Sequence, residues 1–149
     1  METRAIGRSR RQTSYEFYKK LSKLTIGAGA AFWAITIATS LLPIAAEYRS
    51  ASSFSHSEVL IGSLPAGLFI GFCVSYALIR FFDKIPARNP ILKSIILSVI
   101  ALVIASVVPF VRSDSLHYFL VGAALDVPRF LLLGIVVGYL YKRLYGTTA

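Results

Sequence analysis

Asp126 and Arg129 have the clearest chemical potential in this chain, because Asp126-Val127-Pro128-Arg129 interrupts an otherwise apolar run from Leu116 to Tyr141. At ~1.5 Å of rise per residue, a helix starting at Leu116 carries Asp126 ~15 Å and Arg129 ~20 Å inward, near the middle of a ~30 Å hydrocarbon layer. An ionisable side chain at that depth costs at least ~2.5–3.5 kcal/mol on insertion scales and marks a functional site by default. Pro128 lacks a backbone donor and frees the carbonyl of Ala124, so the loosened turn could receive an ion, a water or a polar ligand. A spacing of three puts Asp126 and Arg129 on neighbouring parts of one helix face, where they can pair. Two readings stay open: a site for an ion or polar solute, or a self-neutralising pair that ties its helix to the hydroxyls of Ser63 and Ser75.

Other chemistry is sparse. His56 and His117 are the only histidines. Imidazoles facing each other across a helical bundle could ligate a haem iron, but both stand at the rim of their apolar runs, where histidines are more often interfacial or solvated. Cys73 is the only cysteine, which excludes an intramolecular disulfide and a Cys-x-x-Cys redox pair. Glycine-rich nucleotide loops, His-Glu-x-x-His zinc helices, serine nucleophile elbows and paired-carboxylate sites do not occur in the sequence. Glu47, Glu58 and Asp114 read as solvated loop residues. The expectation is a protein that is not an enzyme and holds no cofactor or metal.

The elements that must position these residues follow from hydropathy. The chain of 149 residues is 56% hydrophobic and only 15% charged, a balance that excludes an ordinary soluble domain. Leu24–Ala46 and Val59–Ile79 carry no charge; Ser94–Val111 is a third uncharged run, extended at one end by Ile91, Leu92 and the stem of Lys93. With the Asp126 segment they make four runs near the ~20 residues that a spanning helix needs. In lipid the backbone must satisfy its own hydrogen bonds, so the fold class is all-α: a polytopic bundle with helices at about 24–46, 59–82, 91–111 and 116–141. A basic segment 1–23 precedes the bundle, which extends over 24–144, and a short tail 145–149 follows it.

Net charge is +9. Arg4, Arg8, Arg10, Arg11, Lys19, Lys20 and Lys23 precede the first helix, Arg80, Lys84, Arg88 and Lys93 lie between the second and third, and Lys142 and Arg143 follow the fourth. The other two connections hold Arg49 and Arg112. This asymmetry predicts both termini in the cytoplasm and an integral protein of the cytoplasmic (plasma) membrane. The basic segment would touch anionic lipid headgroups at ~1 kcal/mol per residue near the surface, and it lacks a folded element for nucleic acid. Tyr15, Tyr18 and Leu21 at three-residue spacing fit an interfacial helix; a disordered basic arm is the alternative.

Setting residue n on residue n+63 aligns Pro65 with Pro128, Gly71 with Gly134, Ser75 with Gly138, Tyr76 with Tyr139 and Arg80 with Arg143. The spacing suggests two tandem hairpins related as a parallel internal repeat, unless glycine, proline and arginine recur there for general reasons. Gly67 with Gly71, and Gly134 with Gly138, form small-residue seams, continued in the first helix by Gly27, Ala31, Ala34 and Ala38. Such seams let backbones approach, either within one bundle or in a homo-oligomer. The third helix has no seam of this quality and should be the most lipid-exposed.

In size and helix number the chain is similar to small multidrug transporters. Their membrane-embedded acidic residue belongs to the first helix, where this chain has none, so the likeness assigns no residue here. The sequence leads first to a non-enzymatic accessory, assembly or scaffold protein of a membrane complex. The alternative is an oligomeric transporter or channel using Asp126, Pro128 and Arg129.

Overall fold

A computed structural model describes residues 2–52, 55–112 and 116–146. Ser113 and Asp114 of the expected outer connection, and 147–149 of the expected tail, lie outside the described residues. The order is α1 (Glu2–Ser40), α2 (Pro43–Ser52), α3 (His56–Phe81), a 3-10 turn (Phe82–Lys84), α4 (Pro90–Arg112) and α5 (Leu116–Tyr145). No strand occurs among the described residues. Four stretches are long and apolar enough to cross a bilayer: Ser14–Ser40, His56–Lys84, Pro90–Val107 and Phe119–Tyr145. The chain is thus an all-helical integral membrane protein with four candidate spans.

Helix starts follow local chemistry. At α3, Ser55 Oγ accepts from the Glu58 amide at 3.2 Å while Glu58 accepts from the Ser55 amide at 2.8 Å, a reciprocal capping box. Glu58 therefore caps a helix. At α4, Asn89 Oδ1 accepts from the Ile91 amide at 3.2 Å, and Pro90 supplies a first residue whose missing N–H costs nothing there.

The first span departs from expectation. The apolar run predicts a helix continuing to Ala46, but α1 stops at Ser40 and a separate α2 begins at Pro43. Pro43 has no amide hydrogen to give to the Thr39 carbonyl and disfavours helical geometry at Leu42. That carbonyl accepts from Leu42 instead, at 3.1 Å, and the Ala38 carbonyl accepts from Leu41 at 3.4 Å. Toward the N-terminus the helix runs unbroken from Glu2, so the basic segment is a helical continuation of the first span. The stretch expected to be a loop from Glu47 is helical to Ser52.

Helix association in lipid depends on close packing, and glycine sets the distances. A Cβ on Gly71 would lie 2.6 Å from the Cβ of Ala28 on α1, and one on Gly67 would meet Phe32 at 2.8 Å. A Cβ on Gly138 would lie 2.5 Å from the Ile91 Cα on α4, and one on Gly134 would lie 2.8 Å from Ser98 Oγ. The α1–α3 and α4–α5 contacts thus bring backbone against backbone. The core sits where α1, α3 and α5 meet, around Leu24, Ala28, Phe32, Val74, Leu78, Phe130, Leu133 and Val137. Trp33 adds a hydrogen bond from Nε1 on α1 to the Leu60 carbonyl on α3 at 3.1 Å.

At the end of the bundle where α1 enters and α5 leaves, three rings form a stack. Tyr145 and Tyr141 have centroids 4.4 Å apart, and Tyr141 and Phe82 have centroids 4.8 Å apart, each pair inclined by 17°. Lys20 of α1 places its ammonium 4.2 Å from the Tyr145 centroid, and Lys93 of α4 lies 3.7 Å from that of Phe82. Lys93, only 7% exposed, also donates to the Phe82 carbonyl. This column joins α1, α5, the 3-10 turn and α4.

Candidate functional site

The last turn of α1 is a ladder of hydroxyls. Thr36, Thr39 and Ser40 are buried, and each donates to a carbonyl of its own helix: Thr36 to Phe32 at 2.8 Å, Thr39 to Thr36 at 3.2 Å, Ser40 to Ile37 at 2.7 Å. With their protons committed inward, these oxygens offer only lone pairs to neighbours. The negative end of the helix dipole adds to that acceptor character. Arg49, on α2, turns back and donates from Nη1 to the Ser40 carbonyl at 2.9 Å, supplying a cation at the helix end.

Arg129 of α5 reaches the same place. Its Nη1 donates to Asp126 Oδ1 at 2.7 Å, and its Nη2 points to Thr39 Oγ1 at 3.4 Å. The pair expected from spacing is formed, but its interhelical partner differs from the expected one. Ser63 and Ser75 of α3 are not engaged: Ser63 donates to the Leu60 carbonyl at 2.9 Å, and Ser75 Oγ is buried without a protein partner. The reason is geometric: α5 has a long interface with α1 and only a slight one with α3, so Arg129 meets Thr39 first.

The carboxyl and the guanidinium differ in access. The Arg129 side chain is 16% exposed and the Asp126 side chain 39%. The Nε of Arg129 is buried and has no acceptor. A single N–H···O contact at 2.7 Å is a weaker use of a planar five-donor fork than a bidentate pair would be. Pro128 lies between the two residues in a helix that continues to Tyr145.

His56 and His117 are exposed at the first turns of α3 and α5, so neither imidazole points into the bundle interior where an axial pair would hold an iron. No group of three or more His, Cys, Asp or Glu side chains is arranged for a metal among the described residues. Cys73 is exposed on α3. Gly67, Gly71, Gly134 and Gly138 face neighbouring helices of the same chain.

Sequence reasoning missed Thr39, Arg49, Ser94 and Ser98. Ser98, fully buried on α4, faces Gly134 of α5, and Ser94 is fully buried one turn before it, so α4 has a small-residue surface as well as a lipid-facing one. Its four-residue serine spacing was the available signal. Thr36-x2-Thr39-Ser40 before Pro43 was the signal for the helix end. An apolar groove of about 440 Å³ lies between α4 and α5, lined in part by Val103, Val107, Phe119 and Val127.

Comparison with known protein families, curated proteins and solved structures finds no match to this chain.

Proposed function

We propose that this protein is a non-enzymatic accessory, assembly or scaffold component of a membrane complex. The observation that carries the reading is the inward closure of the charged pair: Arg129 bridges Asp126 and Thr39, tying α5 to the end of α1. Charges used in this way fix a helix arrangement, as interhelical polar contacts do in bilayers. The glycine seams are filled within the chain, leaving the outer faces of α3 and α4, rich in exposed Phe, Val and Ile, for lipid and partner helices.

In this reading both termini are cytoplasmic in the plasma membrane, and the basic residues around Lys19, Lys20 and Lys23 meet anionic headgroups. The two-hairpin repeat belongs here as well. Gly71 faces α1 and its counterpart Gly134 faces α4, so in each half the glycine of the second helix packs on the first.

A second reading, transport of an ion or polar solute by an oligomer, draws support from one observation. The Asp126 carboxyl, 39% exposed, lies inside the candidate span Phe119–Tyr145 two residues from Pro128, and ionisable residues within spans mark ion and solute pathways. Asp126→Asn, Arg129→Gln and the exchange Asp126→Arg with Arg129→Asp separate the two. Loss of monodisperse assembly in each single variant, restored by the exchange, supports the structural role. Intact assembly with loss of a solute flux that the unaltered protein shows in proteoliposomes supports the pathway and overturns the first reading.

A further inference from the structure

Between α1 and α2 the chain turns through an apolar elbow, Leu41-Leu42-Pro43-Ile44, and all four residues are exposed, Leu41 by 78%. The turn leaves the axis of α1. A straight continuation would carry Arg49 ~14 Å beyond Ser40, yet Arg49 Nη1 donates to the Ser40 carbonyl at 2.9 Å. On the inner side of the elbow Ser40 and Ala45 are buried, and α2 leans on α5. Carbonyls freed where α1 ends are taken up within the chain. Ala38 and Thr39 accept from the Leu41 and Leu42 amides, Ser40 from Arg49, and Leu42 from the Ala45 and Ala46 amides at 3.0 and 3.3 Å. A turn in water can leave such groups to solvent, whereas in lipid the chain itself must satisfy them.

Depth brings the elbow into the membrane. From Lys23, the last charged residue before the apolar stretch, α1 climbs only ~25 Å to Ser40, so a hydrocarbon layer of ~30 Å continues past its end. On α5, outward of Asp126, no Asp, Glu, Lys or Arg occurs as far as Leu116, ~15 Å further. We propose that Leu41, Leu42 and Ile44 form a lipid-binding surface, inserted among the acyl chains of the leaflet opposite the N-terminus, with α2 lying in the interface as an in-plane anchor. Its composition fits: the apolar elbow stands at one end of α2, and Glu47, Arg49 and Ser50 follow toward the headgroups. Lipid is the occupant because the surface is short, three apolar side chains followed within a turn by Glu47, whereas a seam for a partner helix repeats small residues over several turns. Such an anchor fixes the depth of the α1 end, and with it Thr39, the contact of Arg129, whichever function the bundle serves.

Spin labels measure that depth. In a Cys73→Ser background, which replaces an exposed side chain, Leu41→Cys, Ile44→Cys and Ser50→Cys are labelled separately in nanodiscs of phosphatidylcholine and phosphatidylglycerol. Collision of each label with oxygen, which concentrates in lipid, is compared with collision with a water-soluble nickel chelate. Labels at Leu41 and Ile44 should favour oxygen several-fold and lie ~5–10 Å below the phosphates, and the label at Ser50 should favour nickel. Nickel-accessible labels at Leu41 and Ile44 overturn the proposal, because the elbow then stands in water. Labels shielded from both reagents also overturn it, because a second copy of the chain then covers the surface. Should neither elbow variant fold, the unlabelled protein carries the test by NMR. Broadening of the Leu41 and Ile44 methyl signals by lipids with a nitroxide on the acyl chain supports the insertion, and broadening by a soluble gadolinium chelate instead overturns it.

Discussion

The two ends of the bundle are held by different physics. Where the chain enters and leaves, Lys20, Tyr145, Tyr141, Phe82 and Lys93 form a column of rings closed by an ammonium at each end. Beside it Gly138 lets α4 and α5 meet backbone to backbone. At the level where α1 stops, the contacts are a carboxylate, two guanidinium groups and hydroxyls, on a helix end interrupted by Pro43. Close packing tolerates no change of shape, whereas a polar cluster holds only as long as each of its members keeps a partner. One end is held by shape, the other by charge and hydrogen bonding.

Breaking the rigid end should have the largest effect. Gly138→Val places a Cβ 2.5 Å from the Ile91 Cα, which only a backbone shift relieves. Overpacking of this kind costs ~1–3 kcal/mol or more, and the expected outcome is loss of the monodisperse species in size-exclusion chromatography. Gly62→Val, with nothing within 4 Å of the added carbon, should leave the elution unchanged.

Arg129→Gln comes next. Breaking a fully buried pair costs ~3–5 kcal/mol; with Asp126 39% exposed, a loss nearer ~2 kcal/mol is expected. Steric-trap or denaturant unfolding in bicelles measures it. A loss below that from Lys20→Met would reverse the ranking of the two clusters.

Phe82→Ala removes the ring shared by Tyr141 and Lys93. Core Phe→Ala changes cost ~3–5 kcal/mol, and this half-buried ring should cost about half as much. The decisive measurement is coupling: a double-mutant cycle with Lys93→Met should show a clear interaction energy, as contacting residues do. The smallest effect belongs to Lys20→Met, at ~0.5–1 kcal/mol for a cation on a partly exposed ring. Its size should be insensitive to changes at Asp126, because the two clusters lie at opposite ends of the α1–α5 contact.

Four apolar runs and the absence of any alternative for their backbone groups made the helices legible in advance. The pairing of Asp126 with Arg129 was legible because a spacing of three fixes neighbours on one helix. Thr39 was not, since only tertiary packing decides which helix faces Arg129. The break at Ser40 was hidden by hydropathy: Leu41, Leu42 and Ile44 keep the run apolar through the point where Pro43 ends the hydrogen-bond series. The aromatic column was invisible for another reason. Its members come from four separate segments, each of which reads on its own as an ordinary interfacial residue.

Trp33 is the only tryptophan, and its indole bonds across α1 to the Leu60 carbonyl of α3. The protein therefore contains its own optical gauge. Emission from a single indole reports one seam without labelling, and separation of α1 from α3 would break the bond and change both wavelength and quenching. Any rearrangement at the end of α1 can then be followed in real time in the unmodified chain, whether it is caused by a partner helix or a change of lipid.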